Sequence, residues 1–325
     1  MTTIETYLSS FEAYLSHHPF EGFPDRLYEP ANYLMKLGGK RFRPVMLLMA
    51  CDAYKNSFKE ALPAAMAIEV FHNFTLVHDD IMDSAPLRRG MPTVHERWDT
   101  PTAILCGDML MFKSILFLQE LPHLFLQEAL TMFNKTAIEV CEGQQLDMLF
   151  ESREQVDIPE YLNMIMLKTS VLLGCSFYLG ARIGGAQKED ALALYEFGKN
   201  LGIAFQLHDD LLDAFAEDAM AFGKQIGGDI LSNKKTYLLI TALQKADVTQ
   251  LENLKYWLKS DNTSSNEKVA TVKALFIETG AKQAAEQEQQ HFYNMALEAL
   301  KPVNISDESK TKFRAFAQMI MKRTK

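Results

Sequence analysis

Two short stretches hold the residues best suited to chemistry. Asp79, Asp80 and Asp83 form one Asp-Asp-x-x-Asp triad, and Asp209, Asp210 and Asp213 form another. Each closes an apolar segment that reads as a helix, the first from Ala61 to Ile81 and the second from Gly202 onward. At about 100° per residue, His72, Thr75, Asp79 and Asp83 share one narrow stripe, with Asp80 on its flank. Carboxylates left unpaired on buried helices would cost several kcal/mol each to desolvate, so they must meet cations. Bases follow both triads: Arg88 and Arg89 after the first, Lys224, Lys234 and Lys235 after the second. Carboxylate oxygens suit a hard ion such as Mg²⁺, which keeps its waters and bridges a few carboxylates to substrate phosphates. His78 and His208 lie about 100° round their helices from the neighbouring aspartates and are poorly placed as ligands. Solvated helix ends with ordinary ion pairs would explain one triad; a second of the same form argues against that.

The elements around these triads read as helices throughout. The run from Ala61 to Ile81 is apolar on all sides, as a helix in the middle of a bundle must be. Spacing predicts helices over Ile4–Leu15, from Glu29 and Pro30 to the glycines at Gly38 and Gly39, and over Val45–Tyr54, Pro101–Glu120 and Ala129–Phe150. Gly143, inside the last of these, costs about 1 kcal/mol against alanine, which points to a close backbone approach. Tyr161–Leu167 leads to Lys168 and Thr169, where a break would turn carbonyls and a hydroxyl towards a site. Arg88, Arg89 and Gly90 sit in a loop punctuated by glycine and proline. Asp218 to Asp229 is a polar loop, and four or so amphipathic helices follow from Thr236, with turns near Ser260 to Asn266, Gly280 and Pro302. No strand pattern stands out. The expected fold is all-α: roughly a dozen helices in one bundle domain spanning 1–325, the two Asp-rich helices facing each other across a central cleft.

These motifs resemble those of the trans-isoprenyl diphosphate synthases, the polyprenyl synthetase family, over about Tyr33 to Lys235. The resemblance rests on the two triads, Gly38 to Pro44 (Gly-Gly-Lys-Arg-Phe-Arg-Pro), Arg88 to Gly90, and Gly223 to Asp229 (Gly-Lys-x-x-Gly-x-Asp), all in the family's order. It implies a head-to-tail condensation of isopentenyl diphosphate with an allylic diphosphate (dimethylallyl, geranyl or farnesyl). It assigns Gly39, Lys40, Arg43, His72 and Arg89 to the isopentenyl diphosphate. Arg88, Lys168, Lys224 and Lys234 go to the allylic diphosphate, and Thr169 with Gln206 to the carbocation. Asp79, Asp80, Asp83, Asp209, Asp210 and Asp213 would hold three Mg²⁺ ions. The same resemblance suggests a homodimer and gives Gly107 and Asp108 a packing role.

Product length follows from the same helix. Thr75 lies one turn before Asp79, about 6 Å away on the same face, and leaves a pocket open there. Phe71 and Phe74 lie deeper and would floor it. In the resembling family an aromatic five residues before the first Asp, with a small residue at four, goes with twenty carbons. Phe74 and Thr75 fit that pattern, so geranylgeranyl diphosphate is expected, with farnesyl diphosphate as the alternative. A terpene cyclase would carry an Asn/Asp, Ser/Thr, Glu set as its second motif, and a non-catalytic partner subunit would commonly have lost a triad.

Composition narrows the remaining classes. A net charge of −9 with no basic stripe speaks against a nucleic-acid surface. No stretch is expected to reach the roughly 18 to 20 apolar residues of a membrane span, Val45–Cys51 and Val171–Leu179 being too short. The start of the chain lacks a secretory pattern. Cys51, Cys106, Cys141 and Cys175 have neither zinc nor disulfide-framework spacing, which suits a reducing cytoplasm. The closing basic residues through Lys325 read as a frayed terminus.

Overall fold

The computed structural model describes residues 3–216, 226–259 and 265–322. The fold is all-α, apart from one two-stranded hairpin. The chain divides into two compact units, residues 1–135 with 175–195 and residues 136–174 with 196–325. The boundary falls inside three continuous helices.

The first unit is built on α4 (Leu62–Met82), in which every residue from Ala64 to Phe71 is buried. That follows from apolar side chains on all faces, which leave no solvent side. It packs against α3 (Phe42–Lys55) and α6 (Thr100–Gln119). α1 (Ile4–Ser16) starts at a Thr3 capping box, and α2 (Asp25–Lys36) begins four residues before the expected Glu29, with Pro30 inside it. Between α4 and the short α5 (Val94–Arg97) the chain forms the hairpin missed in the sequence, β1 (Leu87–Arg88) on β2 (Met91–Pro92). Two residues per strand are too few for a period-2 signal.

α7 (His123–Ser152) is longer at both ends than its expected span. α8 (Ile158–Ile165) continues through a π-helical turn, Met166–Ser170, into α9 (Val171–Gly184). The expected break at Lys168 and Thr169 is therefore a widened turn within continuous helix, a form common at functional sites. α10 (Lys188–Phe215) carries the second triad. The second unit's core gathers Tyr161, Leu207, Leu211, Leu238, Trp257 and Phe276 with their neighbours. The unit also contains α11 (Gly228–Leu231), α12 (Tyr237–Lys245), α13 (Val248–Lys259), α14 (Ser265–Glu278), α15 (Ala281–Leu300) and α16 (Asp307–Met321).

Two stretches of the described residues are long and apolar enough to cross a membrane by composition, Thr100–Gln119 and Ile158–Gly184. Each mixes a few charges into its apolar residues, so counting unbroken apolar runs passes over both. Burial separates them: 78% of the apolar window in Ile158–Gly184 is inside protein, against 39% in Thr100–Gln119.

Candidate active site

The first triad creates an electrostatic problem at the end of α4. Asp79 and Asp80 stand in its last turn, Asp83 is its cap, and no basic residue shares that turn. Acids there add to the negative end of the helix dipole. The hairpin supplies the compensation. Asp80, only 2% exposed, accepts from Arg88 through both oxygens, Nε to Oδ2 at 2.8 Å and Nη2 to Oδ1 at 2.7 Å. This is the bidentate fork that suits guanidinium to carboxylate. Asp79 is half-buried and Asp83 exposed.

The same hairpin sends its second arginine elsewhere. Arg89 and Gly90 form the two-residue turn with φ of +53° and +77°, the positive pair a type I′ turn requires. The Arg89 guanidinium lies against Gly39, where a Cβ would come within 2.9 Å of Nη1 and Nη2. Adjacent arginines thus diverge, one to the triad and one to the Gly-Gly-Lys loop. The Tyr33 hydroxyl donates to the Pro92 carbonyl at 2.7 Å, and Thr93 Oγ1 donates to the Ala85 carbonyl at 2.8 Å, which fixes the hairpin.

Arg41 reads in sequence as one of three loop cations, but it is a buried anchor. Its Nη1 meets Glu69 Oε1 at 2.6 Å, its Nε meets Glu12 at 2.9 Å, and Nη2 donates to the Met35 carbonyl at 2.8 Å. α3 begins one residue later, so Arg43 lies in its first turn rather than in a flexible loop. Arg43 Nη1 meets His72 Nε2 at 3.2 Å, while its buried Nε has no hydrogen-bond partner. Burial pushes the Arg43 guanidinium down to about 10. Burial, reinforced by Arg43, Arg88, Arg89 and Arg41, holds His72 well below the usual imidazole range. The ring is therefore neutral, accepts from Arg43 on Nε2 and carries its proton on Nδ1. Lys40 is exposed, 5.9 Å from the Phe42 ring centre. This is a partly desolvated cation cluster with a buried donor still to satisfy, and an anion is the group that would satisfy it.

Lower on α4, Phe71 is fully buried, with its ring 5.2 Å from Phe133 and 5.5 Å from Phe74. Phe74 and Thr75 are half-buried. The Thr75 hydroxyl donates to the His72 carbonyl at 2.8 Å, so its polar atom is satisfied within the helix.

The second triad is neutralised differently. Asp210, buried, accepts from the Tyr161 hydroxyl and from Gln206 Nε2 at 3.3 Å. Thr169 Oγ1 lies 3.4 Å from Gln206 Oε1, so Thr169, Gln206, Asp210 and Tyr161 form one chain of polar contacts. Asp213 is buried and accepts from the Asp229 backbone N–H at 3.1 Å; Asp209 is half-buried. Burial, with the Asp229 carboxylate next, pushes the Asp210 carboxyl up to about 8, against the pull of Lys234. Asp147 collects two of the expected cations, with Lys168 Nζ at 2.5 Å and Lys234 Nζ at 3.8 Å. The π-helical turn can lie this close to α7 because residue 143 is glycine: a Cβ there would fall 2.2 Å from Lys168 N. Lys224 and the end of the chain through Lys325 lie outside the described residues. Tyr161 and Arg41 gave no signal in the sequence, because a tyrosine in an apolar helix and an arginine in a basic loop are ordinary there.

Among the described residues no three acidic, histidine or cysteine side chains converge as a ready-made metal cage. The donors are all hard carboxylate oxygens at helix ends, which fits an ion that takes a few carboxylates and completes its shell with water and phosphate.

An all-α chain with two such triads and a partly desolvated cation cluster defines a diphosphate-handling helical enzyme. Residues 24–276 match the polyprenyl synthetase family model, and the chain belongs to that family. It is 44% identical over 224 residues to a geranylgeranyl diphosphate synthase of Methanosarcina mazei, covering 68% of this chain and 69% of that one. It is 39% identical to a geranylgeranyl pyrophosphate synthase of Geoglobus acetivorans, covering 88% and 86%. A crystal structure of a geranylgeranyl pyrophosphate synthase superposes with a TM-score of 0.95 at 41% identity over 99% of both chains.

Proposed function

We propose that the chain joins isopentenyl diphosphate head to tail to dimethylallyl, geranyl and farnesyl diphosphates, with geranylgeranyl diphosphate as the main product. The observation that carries this reading is the half-buried Arg43, with its buried, unsatisfied Nε and its neutral partner His72, beside a loop that brings Arg89 against Gly39. A site of this kind prefers a dense anion with several acceptor oxygens. Lys40, Arg43, His72 and Arg89 hold the isopentenyl diphosphate, with Gly39 leaving room for the arginine.

Arg88, Lys168, Lys224 and Lys234 bind the allylic diphosphate. Asp79, Asp83 and Asp209 would be the foremost magnesium ligands, with Asp80, Asp210 and Asp213 in support, for three ions in all. Magnesium held by these carboxylates would supply positive charge against the charge that grows on the leaving diphosphate. The allylic C–O bond breaks, and the Thr169 and Gln206 oxygens face the cationic carbon. The isopentenyl double bond then forms the new C–C bond, and the proton lost from it goes to the departing diphosphate. Apolar walls keep water from the cation. Thr75 leaves the pocket open past its first turn, and Phe74, backed by Phe71, floors it near twenty carbons.

One catalytic domain over 1–325 is the reading that suits the family match, which runs over residues 24–276 and so takes in sequence from both compact units. A homodimer is supported by the exposed apolar face of α6, where Leu105, Phe112 and Leu116 are all more than half exposed. Four free thiols, three of them buried, suit a cytoplasmic setting.

The test is the purified single chain with radiolabelled isopentenyl diphosphate, each allylic primer and magnesium, followed by product analysis. Twenty-carbon diphosphate is the expected main product. No incorporation by the chain alone would instead favour a partner subunit, and cyclised hydrocarbon would favour a terpene cyclase.

A further inference from the structure

We propose that His78 is a positioning residue for product length: its imidazole, seated in the slot left by Gly107, holds the Phe74 ring across the pocket floor. The proposal rests on the reading of Phe74 as that floor. Phe74 is only half-buried, so the core does not fix it on every side. One neighbour is Phe71, fully buried and itself set against the fully buried Phe133. The other is His78, one helical turn on, whose ring meets Phe74 edge to face with centres 4.8 Å apart. The first support is locked by the core; the second depends on what holds the imidazole.

What holds it is α6. His78 Nε2 lies 3.3 Å from the Ile104 carbonyl and 3.8 Å from Asp108 Oδ1. An Nε2–H therefore donates to the carbonyl, with the carboxylate beside it. Between those two anchors stands Gly107, where a Cβ would fall 2.3 Å from His78 Nε2 and 2.5 Å from Cδ2. Any side chain at 107 would occupy the space the imidazole now fills. The sequence places His78 off the metal-facing stripe and gives Gly107 and Asp108 no chemistry; the structure joins all three to the residue that ends the pocket. An alkyl chain pressing on Phe74 can swing the ring aside only if His78 yields, and Gly107, Asp108 and the Ile104 carbonyl oppose that.

The experiment compares products of the wild-type chain with those of Phe74→Ala, His78→Ala, Gly107→Ala and the double variants, at fixed primer and isopentenyl diphosphate concentrations. The readout is the ratio of longer products to twenty-carbon product. It does not depend on how much enzyme folds, so a merely structural role would lower yield without moving it. An edge-to-face pair is strong enough that its loss should raise the ratio about three- to tenfold in His78→Ala. Gly107→Ala should do the same by expelling the ring. In the His78→Ala background it should add nothing, since the atoms nearest the new methyl are all of that imidazole. His78→Ala should likewise add little once Phe74 is alanine. Lengthening in Phe74→Ala with an unchanged ratio in His78→Ala overturns the positioning role alone. An unchanged ratio in Phe74→Ala overturns the floor reading, and the proposal with it.

Discussion

Asp80 and Asp210 occupy the same place in the same five-residue motif, and both are buried, yet different chemistry holds them. Asp80 is gripped by a full positive charge, the Arg88 fork at 2.7 and 2.8 Å. Asp210 is held by neutral donors, the Tyr161 hydroxyl and the Gln206 amide, with a second carboxylate nearby in Asp229. The third aspartates differ as well: Asp83 is exposed, whereas Asp213 is buried on the Asp229 backbone N–H. The motif therefore fixes where carboxylates stand on a helix but not what neutralises them, which is decided by elements distant in sequence. In the first unit arginines perform that task and remain as a cation cluster. In the second, Lys168 and Lys234 meet a separate acid, Asp147, and burial pushes the Asp210 carboxyl up.

If both triads serve one reaction despite this difference, the largest effects should be symmetric. Asp79→Ala and Asp209→Ala should each lower turnover by at least about a hundredfold, the scale expected when electrostatic stabilisation of a leaving group is lost. EDTA should abolish incorporation of isopentenyl diphosphate, and magnesium should restore it. Circular dichroism should show both variants still helical. Near-normal turnover in either variant would mean that the triads are not equivalent parts of one machine.

Stability should then separate what activity joins. Arg88→Leu strands a buried carboxylate and should cost about 3 kcal/mol, near the low end for breaking a buried pair because Arg88 is partly exposed. Tyr161→Phe removes one neutral donor from a carboxyl that Gln206 still contacts, and should cost about 1 kcal/mol. Urea unfolding of the metal-free chain measures both. Equal losses would show that the charge on Arg88 gives no advantage over a hydroxyl.

The sequence made the triads legible because Asp-Asp-x-x-Asp at the end of an apolar helix is improbable unless something offsets it. Gly143 was legible for a related reason, as a costly residue in a long helix. The partners were not. Tyr161 and Asp210 lie 49 positions apart, and nothing in either local pattern points to the other. Arg41 and Arg43 look alike in a basic loop, yet one closes a buried ion pair and the other keeps an unsatisfied Nε. Only the left-handed turn at Arg41 and the helix that starts after it separate their directions. The π-helical turn at Lys168 has no composition of its own, and the hairpin is too short to have a period.

The two sets should also divide by substrate. Lys40→Ala and Arg43→Ala are expected to raise the KM for isopentenyl diphosphate about tenfold, one charge-assisted contact or so each, with little change for the allylic primer. Lys234→Ala, and Lys224→Ala with it, should show the opposite bias. Steady-state kinetics with each substrate varied in turn decides the matter, and equal shifts in both constants would merge the two sets into one undivided anion site.

The smallest expected effect is one of sign, and it follows from the same contrast. His72 is held below its ordinary pKa by burial and by the arginines around it, so the folded chain cannot take its proton. The unfolded chain can, near pH 6.5. Stability from this group is therefore present above that pH and is lost as pH falls, by about 1 kcal/mol between pH 7 and pH 5.5. Asp210 works the other way. Its folded carboxyl titrates near 8, above its unfolded value, so its contribution is present in acid and is lost as pH rises through that range. In EDTA, His72→Gln keeps an acceptor for Arg43 but cannot titrate, and should remove about 1 kcal/mol of the acid-side loss. Asp210→Asn should remove the fall in stability that runs from about pH 4 to about pH 8, including the part that overlaps and opposes the His72 slope. Urea midpoints at the two ends of the range read both slopes. If His72→Gln tracks the parent chain down to pH 5.5, the imidazole is not the neutral acceptor that Arg43 requires, and the cation cluster is held together by something else.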